Sequence, residues 1–191
     1  MFSIFGGVIS VIIISSVTLL INATGWGEYD ERYKAAEPGD LLGGLFRAAG
    51  EEVGWRCFLL PCFIQKYGML PGLFLHGVVW GLFHIPIMVL LTARFKTPRP
   101  YLTVMVQALS CVFSAVPHGW LAIRSGYSFW ASTIMHWTWN RLNPVATGSI
   151  YTNERGKVKG PQWLVNGEGM SGILVMIPIN AVFVYSLLYM K

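Results

Sequence analysis

Six apolar runs divide the chain, at residues 2–21, 41–63, 69–91, 101–123, 127–147 and 171–190. Each is close to the ~20 residues that cross ~30 Å of hydrocarbon at 1.5 Å per residue. Two short connections and three longer polar loops, 22–40, 92–100 and 148–170, separate them. The pattern predicts an all-α fold, a polytopic transmembrane helix bundle of about six membrane helices. Pro71, Pro86, Pro117, Pro144 and Pro178 lie in or near the runs. Membrane helices accept proline where neighbours satisfy the freed backbone groups. The first run has no basic residue before it and is longer than the apolar core of a signal peptide, so it reads as a retained membrane helix. The loop 148–170 is polar, glycine-rich and too short for a second domain, which leaves one membrane domain over 1–191.

Composition sharpens this picture. The chain is 54% hydrophobic and 12% charged, against about 25% charged in soluble domains. Its surroundings are therefore expected to be membrane lipids. The net charge of +5 comes from scattered Lys and Arg, without the basic patch interleaved with aromatics that nucleic acid requires. No nucleic-acid partner is expected. In a membrane protein the basic residues report topology instead. Arg32, Lys34, Arg94, Lys96, Arg99, Arg155, Lys157 and Lys159 fall on the face of the three long loops, and Lys66, Arg124 and Lys191 on the other. That imbalance places the long loops in the cytoplasm. Cys57, Cys62 and Cys111 lie in apolar runs without metal-site spacing and read as small buried residues.

The chemistry lies where polar residues interrupt the apolar runs. The stretch LFRAAGEEVGWRCFLLP, Leu45 to Pro61, carries Glu51, Glu52 and Arg56 into a predicted membrane helix. Counted from the long-loop face, Glu51 is ~15 Å deep, His84 ~10 Å, His136 ~16 Å and Asn140 ~10 Å. Three helices thus bring four polar side chains to similar depth. His76 and His118 count nearer the opposite face and fall outside the group. A buried ionisable residue in a membrane helix is costly and marks function by default. Structural pairing is the competing reading: Glu51 with Arg47 and Glu52 with Arg56, both at helical i,i+4 spacing. It suits Glu52 and Arg56 best, because Arg47 is near enough to the interface to snorkel away. His136 and Asn140, also four apart, share one helix face and can donate to one oxygen.

These residues fall in three motifs. EEVGWR matches an EExxxR pattern, WGLFH an [FW]xxxH pattern ending at His84, and HWTWN an HxxxN pattern. In this order they resemble the CAAX-protease and bacteriocin-processing (CPBP, or Abi) family of intramembrane endopeptidases, including the type II CAAX prenyl endopeptidases. The resemblance covers about residue 41 to the end. It implies that Glu51 activates a water with help from His84, and that His136 and Asn140 hold the oxyanion. Glu52 and Arg56 then give structural support. It also implies a membrane-associated or prenylated substrate. The chain is shorter than the larger prenyl-protein endopeptidases, and this bears on the prenyl substrate more than on the chemistry.

Rival readings use the same residues. Glu51, His84 and His136 resemble a His₂Glu zinc set with an open water position, so the expected cofactor is either none or Zn²⁺. There is no HExxH motif. GMSG, Gly169 to Gly172, matches a rhomboid pattern, but no histidine follows Ser171 to act as its base. A non-enzymatic membrane immunity or scaffold protein is the alternative from another class. A proton-coupled transporter would be expected to show an inverted repeat, and none is seen.

Overall fold

The computed structural model describes residues 1–34 and 40–189. The final position of the last apolar run and Lys191 lie outside the described residues. The helices are α1 (Phe2–Thr24), α2 (Leu41–Glu52), α3 (Leu60–Tyr67), α4 (Met69–Arg94), α5 (Pro100–Arg124), α6 (Phe129–Ala146), α7 (Gln162–Val165) and α8 (Met170–Leu188). A π-helical segment, Val53–Leu59, joins α2 to α3 without a break. Counting that joined unit once and setting the one-turn α7 aside, six long helical units form an all-α polytopic bundle, in register with the six apolar runs.

Four of these units are long and apolar enough to cross a membrane: α1, α4, α5 and the stretch Gln162–Leu188 that includes α8. The other two of the six units do not meet this measure of length and composition. The two that fall short are α2–π–α3 and α6, which carry Glu51, Glu52, Arg56, His136, Asn140 and Asn143. They fail on apolar character because they carry the polar side chains discussed below.

Small residues set the closest packing. In α4, a Cβ on Gly77 would sit 2.9 Å from the Ala115 side chain, and one on Gly81 would sit 2.6 Å from the Ala108 carbonyl. Small side chains permit this approach, and it is the usual means by which helices associate in lipid. Gly6 of α1 likewise abuts the Ala131 carbonyl of α6, and Ser10 Oγ donates to the Met135 carbonyl at 2.9 Å. Asn180 of α8 donates to the Phe113 carbonyl of α5 at 2.9 Å, and Trp120 stacks on Phe183. The main core lies among α1, α5, α6 and α8. The α2–π–α3 unit stands to one side, against α4 and α6.

The π segment has a local cause. Pro61 lacks an N–H and its ring would press on the carbonyl four residues back. Widening the turn relieves this, and the Leu60 N–H bonds to the Trp55 carbonyl, five residues back. Such wide turns cluster at functional sites, and this one follows the two glutamates directly.

The three long loops meet at one end of the bundle. A two-residue strand, β1 (Glu28–Tyr29), pairs antiparallel with β4 (Val158–Lys159), and β2 (Gly148–Ser149) pairs with β3 (Glu154–Arg155). Asp30 accepts from Arg155 at 2.9 Å and from Lys159 at 3.1 Å. The hydrogen bond from Lys159 is the main reason its carboxyl titrates below the ordinary range. Arg99, from the middle loop, lies over the ring of Trp163. Loops that the alternation of spans assigns to one face therefore do share it.

Candidate active site

Glu51, His84, His136 and Asn140 line one cavity of about 410 Å³. Glu51 arrives from the last turn of α2, His84 from α4, and His136 and Asn140 from successive turns of α6. Phe83 and Ile87 form an apolar wall on the α4 side, and residues 148–151 with Glu168 close the loop side. Glu51 and Asn140 are exposed to the cavity, His84 is half-buried and His136 is buried. Arg47 makes no ion pair with Glu51, so that structural reading of Glu51 does not hold among the described residues.

Glu52 points the other way. It and Arg56 are completely buried, with Arg56 Nη1 donating to Glu52 Oε1 at 2.9 Å. The Arg56 guanidinium also lies 3.9 Å from the centre of the Trp80 ring, a favourable place for a desolvated cation. The expected i,i+4 pair is thus formed. It has a further contact that spacing along the helix does not reveal: Glu52 Oε1 also meets His136 Nδ1 at 2.7 Å. Since this oxygen already accepts from Arg56, the His136 Nδ1 is the donor. A carboxylate that fixes one ring nitrogen fixes the tautomer and the direction of the other.

The other rings are held in the same way. His84 Nδ1 lies 2.7 Å from the Trp80 carbonyl, four residues back. A carbonyl only accepts, so Nδ1–H donates and Nε2 is left as a base. His118 repeats the arrangement, with Nδ1 2.9 Å from the Ser114 carbonyl. The depth count set His118 aside; the structure brings its ring to 6.2 Å from that of His136. Counting residues assumes upright helices whose ends share a plane, whereas membrane helices tilt by ~20° on average. His76 remains apart, buried against Trp55.

Glu51, His84 and His136 were also the expected zinc set. Among the described residues, no three His, Cys, Asp or Glu side chains converge as a metal-holding group. His84 and His136 each commit Nδ1 to a protein acceptor, which leaves Nε2 as the nitrogen free for the cavity, as in a metal-ligating histidine as much as in a base.

The loop after α6 supplies residues that the sequence reading missed. Asn166 Oδ1 accepts from Asn143 Nδ2 at 3.1 Å and from the Glu168 backbone N–H at 2.8 Å. Asn166 Nδ2 donates to the Gly148 carbonyl at 2.7 Å and to Gln162 Oε1 at 2.8 Å. Thr147 Oγ1 bonds to Asn143 and accepts from the Gly167 N–H at 3.1 Å. This buried network fastens the loop to α6 and sets Glu168 at the cavity wall. The only signal in the sequence is the density of Asn, Gln and Thr flanking an acid, in a segment that otherwise reads as a polar loop. Asn166→Ala would strand several of these buried groups, at about 1–3 kcal/mol for each one left unpaired. A lowered melting temperature in detergent is expected; an unchanged one would mean the network does not hold the loop.

With this geometry established, residues 40–142 match the family model described as type II CAAX prenyl endopeptidase, Rce1-like. The match takes in more than half of the chain and all three motifs. The chain belongs to this family. No curated protein and no solved structure matches it. Membership implies a protease of membranes, and with four membrane-capable helices the Rce1-like chain is an integral membrane protein. The match ends before the loop that carries Tyr151 and Glu168.

Proposed function

We propose that the chain is a multi-pass intramembrane endopeptidase that hydrolyses a peptide bond of a membrane-associated, prenylated CAAX-type substrate without a metal. One observation carries the proposal: the polar residues of three separate motifs line a single cavity that has an apolar wall. Glu51, exposed in that cavity, takes a proton from water, and His84 holds the same water through its free Nε2. His136 and Asn140 bind the oxygen of the tetrahedral intermediate. Because the Nδ1–H of His136 is committed to Glu52, the ring can donate from Nε2 only as an imidazolium. Glu52 supplies the counter-charge for that form and is thus a positioning residue as well as a brace. The phenyl ring of Phe83 and the side chain of Ile87 suit an apolar substrate group beside the scissile bond.

The test is purified protein in lipid nanodiscs with matched farnesylated and unmodified peptides, and products read by mass spectrometry. Cleavage of the farnesylated set alone supports the full proposal; equal cleavage of both removes the prenyl specificity. Chelation is expected to leave the rate unchanged. Loss on chelation with recovery on added zinc would replace the metal-free mechanism. Asn140→Ala is expected to lower kcat ~10²–10³-fold, the usual result of removing one oxyanion donor, with KM little changed. An effect confined to KM would remove Asn140 from the oxyanion site.

A further inference from the structure

Behind the main cavity lies a second, smaller chamber of about 40 Å³. The two share His84, His136, Asn140, Tyr151 and Glu168 in their walls, so they are contiguous. The chamber reaches back to α4 and α5, where Trp80, Ser110, Ser114 and His118 complete it. Its size admits one to about three waters and little else.

The chemistry of its walls is specific. Trp80 Nε1, Ser110 Oγ and Glu168 Oε2 are buried polar atoms with no hydrogen-bond partner among the described residues. An indole N–H only donates, a carboxylate oxygen only accepts, and a hydroxyl does both. His118 adds an acceptor at Nε2, since its Nδ1 is bonded to the Ser114 carbonyl. Glu168 is held in place at its other oxygen, where Trp139 Nε1 donates at 3.0 Å. Gln107 Nε2 donates to the Tyr151 hydroxyl at 2.9 Å, which leaves the phenol proton free to donate. A buried water needs two to four polar partners, and the chamber offers donors and acceptors of both kinds. Unpaired buried groups are costly, and one small molecule that donates and accepts relieves all three at once.

We propose that this chamber is a water-binding site, held by Glu168, Ser110 and Trp80, that supplies the hydrolytic water to Glu51 and His84. The supply role rests on the hydrolytic reading above; occupancy of the chamber by water does not. A substrate seated against Phe83 and Ile87 covers the cavity and displaces its solvent. Each turnover consumes one water, so a reserve adjoining His84 keeps the next one within reach. Glu168 acts by holding water, and its place is fixed by Trp139 on the helix that carries His136 and Asn140.

The experiment has two arms. In the first, the full chain in nanodiscs is exposed to X-ray radiolysis, and oxidation is mapped by mass spectrometry. Hydroxyl radicals formed from a trapped water label its immediate neighbours even when bulk solvent is excluded. Trp80, only 6% exposed, is expected to be oxidised, while Met135, at 0%, stays unlabelled as the dry reference. Ser110→Val fills the chamber with methyl groups and is expected to bring Trp80 down to the level of Met135. Trp80 labelling in the wild type no greater than that of Met135 overturns the water site. The second arm is kinetic. Glu168→Gln keeps an oxygen for Trp139 and removes only the charge and the unpaired acceptor. Both Ser110→Val and Glu168→Gln are expected to lower kcat about 10–100-fold, the scale of a small misplacement in a reacting group, with KM and melting temperature held. Wild-type kcat in both variants overturns the supply role. If the wild type and Glu51→Gln alike cleave nothing, the hydrolytic reading fails, and the labelling arm still decides whether the chamber holds water.

Discussion

Glu51→Gln is expected to abolish turnover while leaving the protein folded. The amide keeps the size and shape of the carboxylate but cannot accept a proton from water. General-base catalysis contributes about 10²–10⁴-fold, so kcat should fall by at least the upper part of that range. Stability should hardly change. Glu51 is exposed to the cavity and makes no ion pair among the described residues. Substitutions at such positions usually stay within about 0.5 kcal/mol. Melting in lipid and binding of an uncleaved peptide should both match the wild type. A Glu51→Gln protein that hydrolyses peptide within about tenfold of the wild-type rate, well short of the loss a general base explains, would take Glu51 out of the mechanism. The same variant separates the enzyme from the scaffold reading. A non-enzymatic immunity or scaffold protein would keep its cellular effect when Glu51 becomes Gln.

Much of this architecture could be read from residues alone, for identifiable reasons. Lipid demands long apolar runs, so the helices announce themselves, and polar side chains inside them stand out against that background. Glu51, His84, His136 and Asn140 stand out in the sequence because polar side chains within long apolar runs are uncommon. The helix of Glu51 shows the limit of that logic. Its charges mark the site but also make the helix too polar to meet a membrane-span criterion, as do the His and Asn residues of α6. His118 shows a second limit. Depth along a helix is one coordinate, and helix tilt moves a residue sideways and up in ways that counting cannot follow. Glu168 shows the third. It reaches the cavity through Asn143, Thr147, Gln162 and Asn166, whose contacts cross from helix to loop and leave no periodic trace.

Glu52→Gln carries the largest expected effect on stability, and its interpretation turns on His136. Glu52 and Arg56 are both fully buried and bonded at 2.9 Å. Removing one partner of a buried pair commonly costs about 3–5 kcal/mol, because the other charge is left without compensation. Trp80 beneath the guanidinium offsets part of that loss, so the lower end of the range is expected. Activity should fall as well, because His136 loses the carboxylate that holds its Nδ1 at 2.7 Å. A single variant cannot separate these two effects, but a pair can. Buried ion pairs replaced whole by apolar groups are often neutral or better for stability. The double variant Glu52→Gln, Arg56→Met leaves no buried charge without a partner and should therefore recover part of the melting temperature. It should not recover kcat, since His136 still faces an uncharged partner and the imidazolium form remains unsupported. Recovery of both stability and kcat would make Glu52 a brace and nothing more. Recovery of stability alone would place it in the machinery that keeps His136 ready to bind the oxyanion.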